Sequence, residues 1–276
     1  MAEPILHWVG GKRAYLSFLI DRLPKFSRYV EPFIGGGAMC FYLSPKKGII
    51  ADINKELINV YKCIKRNPRQ VIKYLKEYTN DEKLYYEVRD ACLDNMSDYM
   101  LASRTIFLNK TSFCGLYRVN KEGKFNVAYG FRKNPTICDT RGILELSRVL
   151  QNISIYYNTY KNILPHLKHG DFVFLDPPYM PISESSNFTS YTKQGFTWKD
   201  QENLLDMLYI MDRNGVKFML TNSDTKELND LYKDFRIEKV NTVRMISAKT
   251  TSKFNKVKDI VVTNYDFPNR RKLVFA

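Results

Sequence analysis

The sequence contains no apolar run near the roughly 18–20 residues that a membrane-spanning helix needs. Its first residues, "MAEPILHWVGGKR", lack the basic-then-apolar layout of a secretory signal. It also has no internal repeat and no low-complexity stretch. These absences argue against a membrane, secreted or fibrous protein. We therefore expect a globular, intracellular protein of the cytoplasm, whether its origin is cellular, phage or viral.

Cysteine and histidine are scarce as well. The chain has five scattered cysteines and no CxxC pair, so it predicts neither a disulfide framework nor a zinc knuckle. Of its three histidines, His166 and His169 are close in sequence, but no third ligand is apparent nearby. We expect reduced thiols and no bound metal.

Acidic residues are too few to balance the basic ones. Among 276 residues there are 43 Lys and Arg against 29 Asp and Glu, a net charge of +14 at pH 7. Such an excess attracts polyanions, chiefly nucleic acid or an anionic membrane surface. Hydrophobic residues make up 44%, which suffices for one large domain or for a core domain that carries an insertion.

The positive charge is concentrated between residues 104 and 133, where seven basic residues face one acidic residue, Glu122. The basic residues are Arg104, Lys110, Arg118, Lys121, Lys124, Arg132 and Lys133. Six aromatic residues are interleaved with them, namely Phe107, Phe113, Tyr117, Phe125, Tyr129 and Phe131. Cations for phosphates and rings for bases are typical of a nucleic-acid surface. A solvated basic loop with a few core aromatics is the alternative.

Predicted strands alternate with predicted helices along most of the chain. Apolar runs indicate strands at 28–33, 48–54, 152–157, 171–175, 216–222 and 259–265. Helical spacing occurs in 38–43, in 55–67 up to Pro68, in 70–108, in 143–150, and after a Thr197 to Asp200 capping box. This alternation predicts an α/β fold with a largely parallel sheet.

One stretch interrupts the alternation. Residues 109–138 lose all periodicity and contain Gly115, Gly123, Gly130 and Pro135, which indicates loops and a hairpin. We therefore predict a mostly helical insertion at 55–138, with the sheet domain formed by 1–54 and 139–276.

A glycine triplet, Gly35 to Gly37, follows the first predicted strand and precedes a helix. Glycines there allow a tight turn and close approach of a ligand to the backbone. Asp52 ends the next strand, where a carboxylate can accept hydrogen bonds from both hydroxyls of a ribose. The loop is neither the G-x-G-x-x-G dinucleotide pattern nor a P-loop. An adenosine cofactor without phosphate, S-adenosylmethionine, fits better than NAD or ATP.

The string "DPPY", Asp176 to Tyr179, ends the apolar strand at 171–175. At that edge of an open α/β sheet it faces the ligand crevice. Asp176 and the carbonyl of Pro177 can accept the two N–H bonds of an aromatic amine, which frees the nitrogen lone pair for an electrophilic methyl. Tyr179 offers a face on which the base stacks. Positioning and electrostatics then account for catalysis, without a nucleophilic side chain.

Together these motifs resemble the Dam-type DNA adenine N6-methyltransferases, class D12 of the alpha group. The resemblance extends over nearly the whole chain, through "HWVGGK", "VEPFIGGG", "ADIN", "FLNKTSFCGLYRVNKEGKFNV", "DPPYMPISESSNFTSY" and "NKVKDIVVTNY". It implies a Rossmann-like S-adenosylmethionine-dependent methyltransferase sheet, with residues 55–138 as the insertion that recognises the DNA target. It also implies that an adenine of double-stranded DNA, in GATC or a related short site, is flipped out and methylated at N6.

The resemblance assigns roles to individual residues. The implied catalytic residues are Asp176, Pro177, Pro178 and Tyr179. The implied cofactor contacts are Trp8, Lys12, Phe33, Gly35, Gly37, Asp52, Tyr160 and Asp176. The implied DNA contacts lie in or near a loop and hairpin at 109–132 and are Lys110, Phe113, Leu116, Arg118, Asn126 and Arg132. Arg118 would read a guanine through two hydrogen bonds, and 186–191 would close over the flipped base.

Three positions depart from the family pattern. His7 replaces a lysine, Lys110 replaces an arginine, and Cys114 replaces an asparagine.

Methylation of cytosine N4 or of RNA is an alternative activity, since both substrates present a similar amine. A methyltransferase fold kept only for binding DNA is another alternative. A role in restriction–modification, a solitary regulatory role and a viral role all stay open, as does the oligomeric state.

Overall fold

The computed structural model describes residues 2–8, 10, 12–179, 196–245 and 254–267. Within them lie seven strands, β1 Arg28–Glu31, β2 Gly48–Asp52, β3 Ile153–Tyr157, β4 Asp171–Leu175, β5 Lys217–Ser223, β6 Arg236–Met245 and β7 Phe254–Thr263. They form one sheet in the order β3-β2-β1-β4-β5-β7-β6. Neighbours from β3 to β5 are parallel, whereas β7 pairs antiparallel with both β5 and β6. The fold is α/β and Rossmann-like, as the sequence predicts.

The helices are α1 Leu16–Ile20, α2 Ala38–Leu43, α3 Lys55–Arg66, α4 Pro68–Leu75, α5 Glu82–Asp90, α6 Asp98–Thr111, α7 Thr140–Leu150, α8 Trp198–Arg213 and α9 Lys226–Leu231. Side chains of Asn54, Ser97 and Thr197 accept backbone N–H groups at the starts of α3, α6 and α8. Thr197 and Asp200 form the predicted capping box. In the part of the chain that the structure describes, no helix combines the length and the apolar character needed to cross a membrane.

Three details differ from the sequence-based prediction, whereas the predicted end of α3 before Pro68 is confirmed. Pro68 separates α3 from α4 and is itself the first residue of α4, where its missing N–H would have had no partner. Strand β6 was not predicted, because its residues 236–245 mix charged and apolar side chains. Its partner β7 begins at Phe254, earlier than the predicted strand at 259–265.

The sheet is covered on both faces, which explains the uninterrupted apolar run of β4. Phe172 and Phe174 belong to one hydrophobic cluster, and Val173 and Leu175 belong to a second cluster on the other face. All five residues of β4 are buried. Strands covered on both faces read as continuous apolar segments rather than as alternating ones.

Helices from the 55–138 region share the first of these clusters with the sheet. Leu57 of α3 and Phe107 of α6 are fully buried in the cluster that also contains Phe172. The division into a sheet domain and an insertion stays a prediction.

Parallel strands place their carboxyl ends at one edge of the sheet. Glu31, Asp52 and Leu175 end β1, β2 and β4 there. The segments that follow these strands carry the glycine triplet, the α3 cap and the "DPPY" string. The candidate site is built at this edge.

Candidate active site

Asp176 follows β4 directly and lies in a compact polar cluster. The Lys12 ammonium is 2.5 Å from Asp176 Oδ1 and donates to Oδ2 at 2.6 Å. Thr221 of β5 donates its hydroxyl to Oδ1 at 2.8 Å. Lys12 is only 5% exposed and Thr221 is fully buried. Charge-assisted bonds of this kind fix the carboxylate in one orientation.

Tyr179 lies beside the same cluster. The Lys12 ammonium is 4.6 Å from the centroid of the Tyr179 ring, a cation–π distance. The Tyr179 hydroxyl donates to Asp259 Oδ2 at 3.3 Å. Pro177 is buried, and Pro178 and Tyr179 are half-buried. The two prolines fix the backbone between the carboxylate and the ring.

Asp52 lies at the end of the neighbouring strand β2. Its Oδ2 accepts the Gly35 N–H at 3.1 Å and its Oδ1 accepts the Asn54 N–H at 2.9 Å. Removal from bulk water raises the pKa of Asp52 to about 6. Each carboxylate oxygen offers about two acceptor positions, so both oxygens have capacity for a further donor.

The glycine loop packs against the N-terminal segment. A Cβ at Gly35, whose φ is +44°, would lie 2.8 Å from Trp8 Cδ1. Gly37, with φ +71°, would bring a Cβ into the Phe41 ring. Neither position tolerates a side chain, both because φ is positive and because the space is filled. The Trp8 ring stacks on Tyr117, with centroids 5.3 Å apart.

Aromatic rings line the site near the end of β3. The centroids of Phe33 and Tyr160 are 5.2 Å apart, and Phe196 lies 6.0 Å from Phe33. The Tyr160 hydroxyl donates to the backbone carbonyl of Asp200 at 3.2 Å. An apolar wall of this type suits a flat heteroaromatic ring.

A hairpin follows α6, as the loss of periodicity at 109–138 predicts. Val119 and Phe125 form an isolated antiparallel bridge. Arg118 is exposed on this hairpin, and Asn126 accepts its Nε–H through Oδ1 at 2.9 Å and an Nη2–H through its carbonyl at 3.3 Å. The guanidinium has five N–H groups, so Asn126 orients Arg118 without using all of them.

A cleft lined by basic residues, the basic cleft, lies beside the hairpin. It is a cleft of about 520 Å³ lined by His7, Lys110, Arg132, Lys133, Pro135 and Thr136. Arg132 Nη1 is 3.3 Å from His7 Nε2. Because arginine has no acceptor, the His7 nitrogen accepts. Asn109 holds His7 at its backbone, accepting the N–H and donating to the carbonyl, each at 2.8 Å.

Phe113 and Leu116 lie at the base of the hairpin. Phe113 is 42% exposed, and Leu116 is half-buried and packs against the first hydrophobic cluster. The hairpin and the basic cleft thus contain all six DNA contacts that the resemblance implies.

Comparison with known proteins identifies the family. The family model for D12 class N6 adenine-specific DNA methyltransferases matches residues 8–246. The chain belongs to this family. It is therefore an adenine-specific DNA methyltransferase, as the motifs predict.

Similar proteins support the same assignment. The chain is 42% identical over 272 residues to the type II methyltransferase M1.LlaDCHI of Lactococcus lactis subsp. cremoris. The matched region covers 95% of each of the two proteins. It is 38% identical over 286 residues to the type II methyltransferase M.MjaIII of Methanocaldococcus jannaschii, covering 95% of this chain and 99% of that protein. Identity to the DNA adenine methylase of Escherichia coli strain K12 is 29% over 247 residues, or 88% of each chain.

Several polar residues of this methyltransferase's site were not found by sequence reasoning. Thr221 and Asp259 are buried in β5 and β7, Tyr15 lies in the 3₁₀ turn Lys12–Tyr15, and Glu31 ends β1. Burial raises the pKa of Glu31, which accepts the Tyr29 hydroxyl at 2.8 Å. A polar residue inside an otherwise apolar strand is the one signal that could have indicated Thr221 and Asp259.

Phe131 is one of the interleaved aromatic residues and is not among the DNA contacts that the resemblance implies. It is 70% exposed and has φ +49°, a conformation unusual for a phenylalanine. Its ring packs edge-on against Tyr129 at 4.9 Å. Exposure and backbone strain together mark it as a residue of functional interest.

One prediction concerns a segment for which no geometry can be given. Residues 186–191, expected to close over the base, lie outside the described residues. Among the side chains of the ranges given above, no group of three His, Cys, Asp or Glu is arranged to hold a metal ion.

Proposed function

We propose that this methyltransferase transfers a methyl group from S-adenosylmethionine to N6 of an adenine that is flipped out of double-stranded DNA. The target is a short site of the GATC type. The observation that carries the proposal is the position of Asp176 at the sheet edge, one strand away from the glycine loop and two from Asp52. The methylated atom lies inside the duplex, so the base must leave the helix to reach this edge.

The residues present fit the cofactor. Asp52 has acceptor capacity for ribose hydroxyls while Gly35 and Asn54 hold it in place. The positive-φ glycines allow the tight turn between β1 and α2, with Trp8 and Phe41 packed where side chains at Gly35 and Gly37 would lie. Phe33 and Tyr160 form an apolar wall for the adenine ring, and Trp8 and Lys12 lie on the N-terminal side. When bound, the cofactor supplies an electrophilic methyl group on a sulfonium.

The amine of the target base is held by the "DPPY" residues. Asp176 accepts one N–H and the Pro177 carbonyl accepts the other, so the nitrogen lone pair turns out of the ring plane. Lys12 binds both Asp176 oxygens, and Thr221 donates to Oδ1. Since each carboxylate oxygen offers about two acceptor positions, Oδ2 has capacity for the amine N–H while Lys12 and Thr221 keep the carboxylate oriented. Fixed acceptors of this kind cost little reorganisation in the transition state.

Residues 55–138 supply target recognition in this proposal, and 1–54 with 139–276 supply catalysis. The basic cleft contacts phosphates, which fixes register without reading sequence. The Arg118 hairpin reads base edges, and Phe113 and Leu116 contact bases beside it. The naming of two relatives as type II methyltransferases favours a role in restriction–modification.

The decisive experiment maps modified bases. Purified protein is incubated with methyl donor and genomic DNA that carries no N6-methyladenine, and modification is then read at single-nucleotide resolution. We expect N6-methyladenine at one position of one short site. Modification confined to cytosine, or none at all, would contradict the proposal. Retained DNA binding without turnover would indicate a DNA-binding module instead.

Replacing Arg118 tests the base-reading assignment. Arg118→Ala is expected to relax discrimination at one base pair by about 1–3 kcal/mol, because an arginine fork matches two acceptors of guanine. The measurement compares kcat/KM on duplexes that carry each base pair at each position of the mapped site. Arg141→Ala is the control, since Arg141 is exposed and pairs with Glu145 on α7. An unchanged preference in Arg118→Ala would remove this residue from the reading set.

A further inference from the structure

Asp259 connects two tyrosines at the candidate active site. It lies on β7, opposite Ser223 of β5 and Val240 of β6, and is 2% exposed. Its Oδ2 accepts the hydroxyl of Tyr15 at 3.1 Å and that of Tyr179 at 3.3 Å. One buried carboxylate oxygen thus joins the N-terminal segment, the last strand and the "DPPY" string.

Both phenols are donors in this arrangement. Burial is the main cause that raises the pKa of Tyr15 and of Tyr179, and nearby carboxylates raise both further. Each hydroxyl therefore keeps its proton and can donate it to Asp259. A buried carboxylate is costly unless such bonds compensate it, so the two phenols stabilise Asp259 inside the sheet.

The position of the Tyr179 ring is fixed at two ends. Pro177 and Pro178 restrict the backbone at one end, and Asp259 holds the hydroxyl at the other. The Lys12 ammonium lies over the ring at 4.6 Å. With both ends held, the long axis of the ring is set before a base arrives, and the ammonium over its face favours one ring plane.

We propose that Asp259, with Tyr15, is a positioning group for methyl transfer: it fixes the Tyr179 ring at the angle that stacks the target adenine with its amine against Asp176. This inference rests on the proposed function, since it needs Tyr179 to hold the base. Asp259 does not touch the base and acts through Tyr179. A misplacement of about 1 Å in such a contact can cost about 10²-fold in rate.

A double-mutant cycle tests the inference. Asp259→Ala, Tyr179→Phe and the double variant are compared with the unmodified enzyme on a duplex that carries the mapped site. The readouts are the single-turnover rate, the Kd of S-adenosylhomocysteine, and the fluorescence of 2-aminopurine placed at the target adenine, which stacking quenches. Asp234→Asn and Tyr209→Phe are matched controls, because Tyr209 donates to Asp234 in an exposed pair of the same kind.

We expect Asp259→Ala to lower the single-turnover rate about tenfold or more and to increase 2-aminopurine fluorescence in the complex. The Kd of S-adenosylhomocysteine should change by less than about two-fold. In the Tyr179→Phe background, Asp259→Ala should lower the rate by less than about two-fold further, because the hydroxyl on which it acts is gone. The control variants should match the unmodified enzyme.

The inference is overturned if Asp259→Ala lowers the single-turnover rate as much in the Tyr179→Phe background as in the unmodified enzyme. A purely structural role of Asp259 through Tyr15 would give that result, because it does not depend on the Tyr179 hydroxyl. Full activity of Tyr179→Phe would overturn it as well. If Asp259→Ala does not fold, Asp259→Leu, which has a similar branched shape and no hydrogen-bond acceptor, replaces it in the cycle. An unmodified enzyme that leaves the mapped adenine unmethylated refutes the proposed function, whereas an active enzyme with additive substitutions refutes only this inference.

Discussion

Asp176→Ala is expected to abolish methyl transfer, lowering the single-turnover rate by at least about 10²-fold, while DNA binding is largely kept. The substitution removes the acceptor that, in the proposed mechanism, holds the amine in the transition state, and loss of one such preorganised group costs about 10²–10³ in rate. DNA contacts are assigned to the Arg118 hairpin and the basic cleft, and neither includes Asp176. Methylation is measured with labelled donor, and affinity is measured on the same duplex by fluorescence anisotropy.

The same substitution leaves the Lys12 ammonium without its carboxylate. Lys12 is 5% exposed, and breaking a buried ion pair costs about 3–5 kcal/mol, so thermal melting must be measured alongside activity. Asp206→Ala on the exposed side of α8 is the matched control. A folded Asp176→Ala enzyme with substantial turnover would contradict the assigned role.

Replacing Asp52 is expected to have the second largest effect, this time on cofactor affinity. Asp52→Ala removes two acceptors for ribose hydroxyls, and hydrogen bonds to a charged group contribute about 1.5–3 kcal/mol each. We expect the Kd of S-adenosylhomocysteine to rise at least about tenfold, or about 1.4 kcal/mol. Isothermal titration calorimetry gives this value directly, and an unaltered affinity would refute the ribose assignment.

The pH dependence of binding gives a second measure of the same residue. The pKa of Asp52 is raised to about 6 from 3.8 in the cofactor-free protein, and the ionised form is the better acceptor. Affinity should therefore be constant well above pH 6 and should fall as the pH drops through it, because protonation of Asp52 then competes with the cofactor. Asp52→Asn has no proton to gain and should show no such decline between pH 7 and pH 5.

The sequence-based predictions were most successful where local pattern carries the information. The buried strand β4, the capping box of α8 and the glycine turn before α2 were all predicted near their observed places. Each is determined by residues within one element or by the residue types next to it. The "DPPY" string likewise pointed to amine chemistry through the residue types it contains.

Prediction was weakest where distant segments meet. Strand β7 lies between β5 and β6 and runs antiparallel to both, an arrangement that no periodicity in the chain indicates. Lys12 reaches Asp176 across 164 positions of sequence. Thr221 and Asp259 resemble ordinary strand residues until the sheet places them against Asp176 and Tyr179.

The sequence by itself determined the α/β class, the family, the type of chemistry and the candidate residues, because motif composition and hydrophobic period are local properties. Only the tertiary structure decided that Lys12 and Thr221 bind the Asp176 carboxylate, that Asn126 accepts from Arg118, and that Asp259 accepts the Tyr179 hydroxyl. The physical reason is that a hydrogen bond requires its two atoms within about 3 Å. Such proximity is set by packing of the whole sheet, not by spacing along the chain.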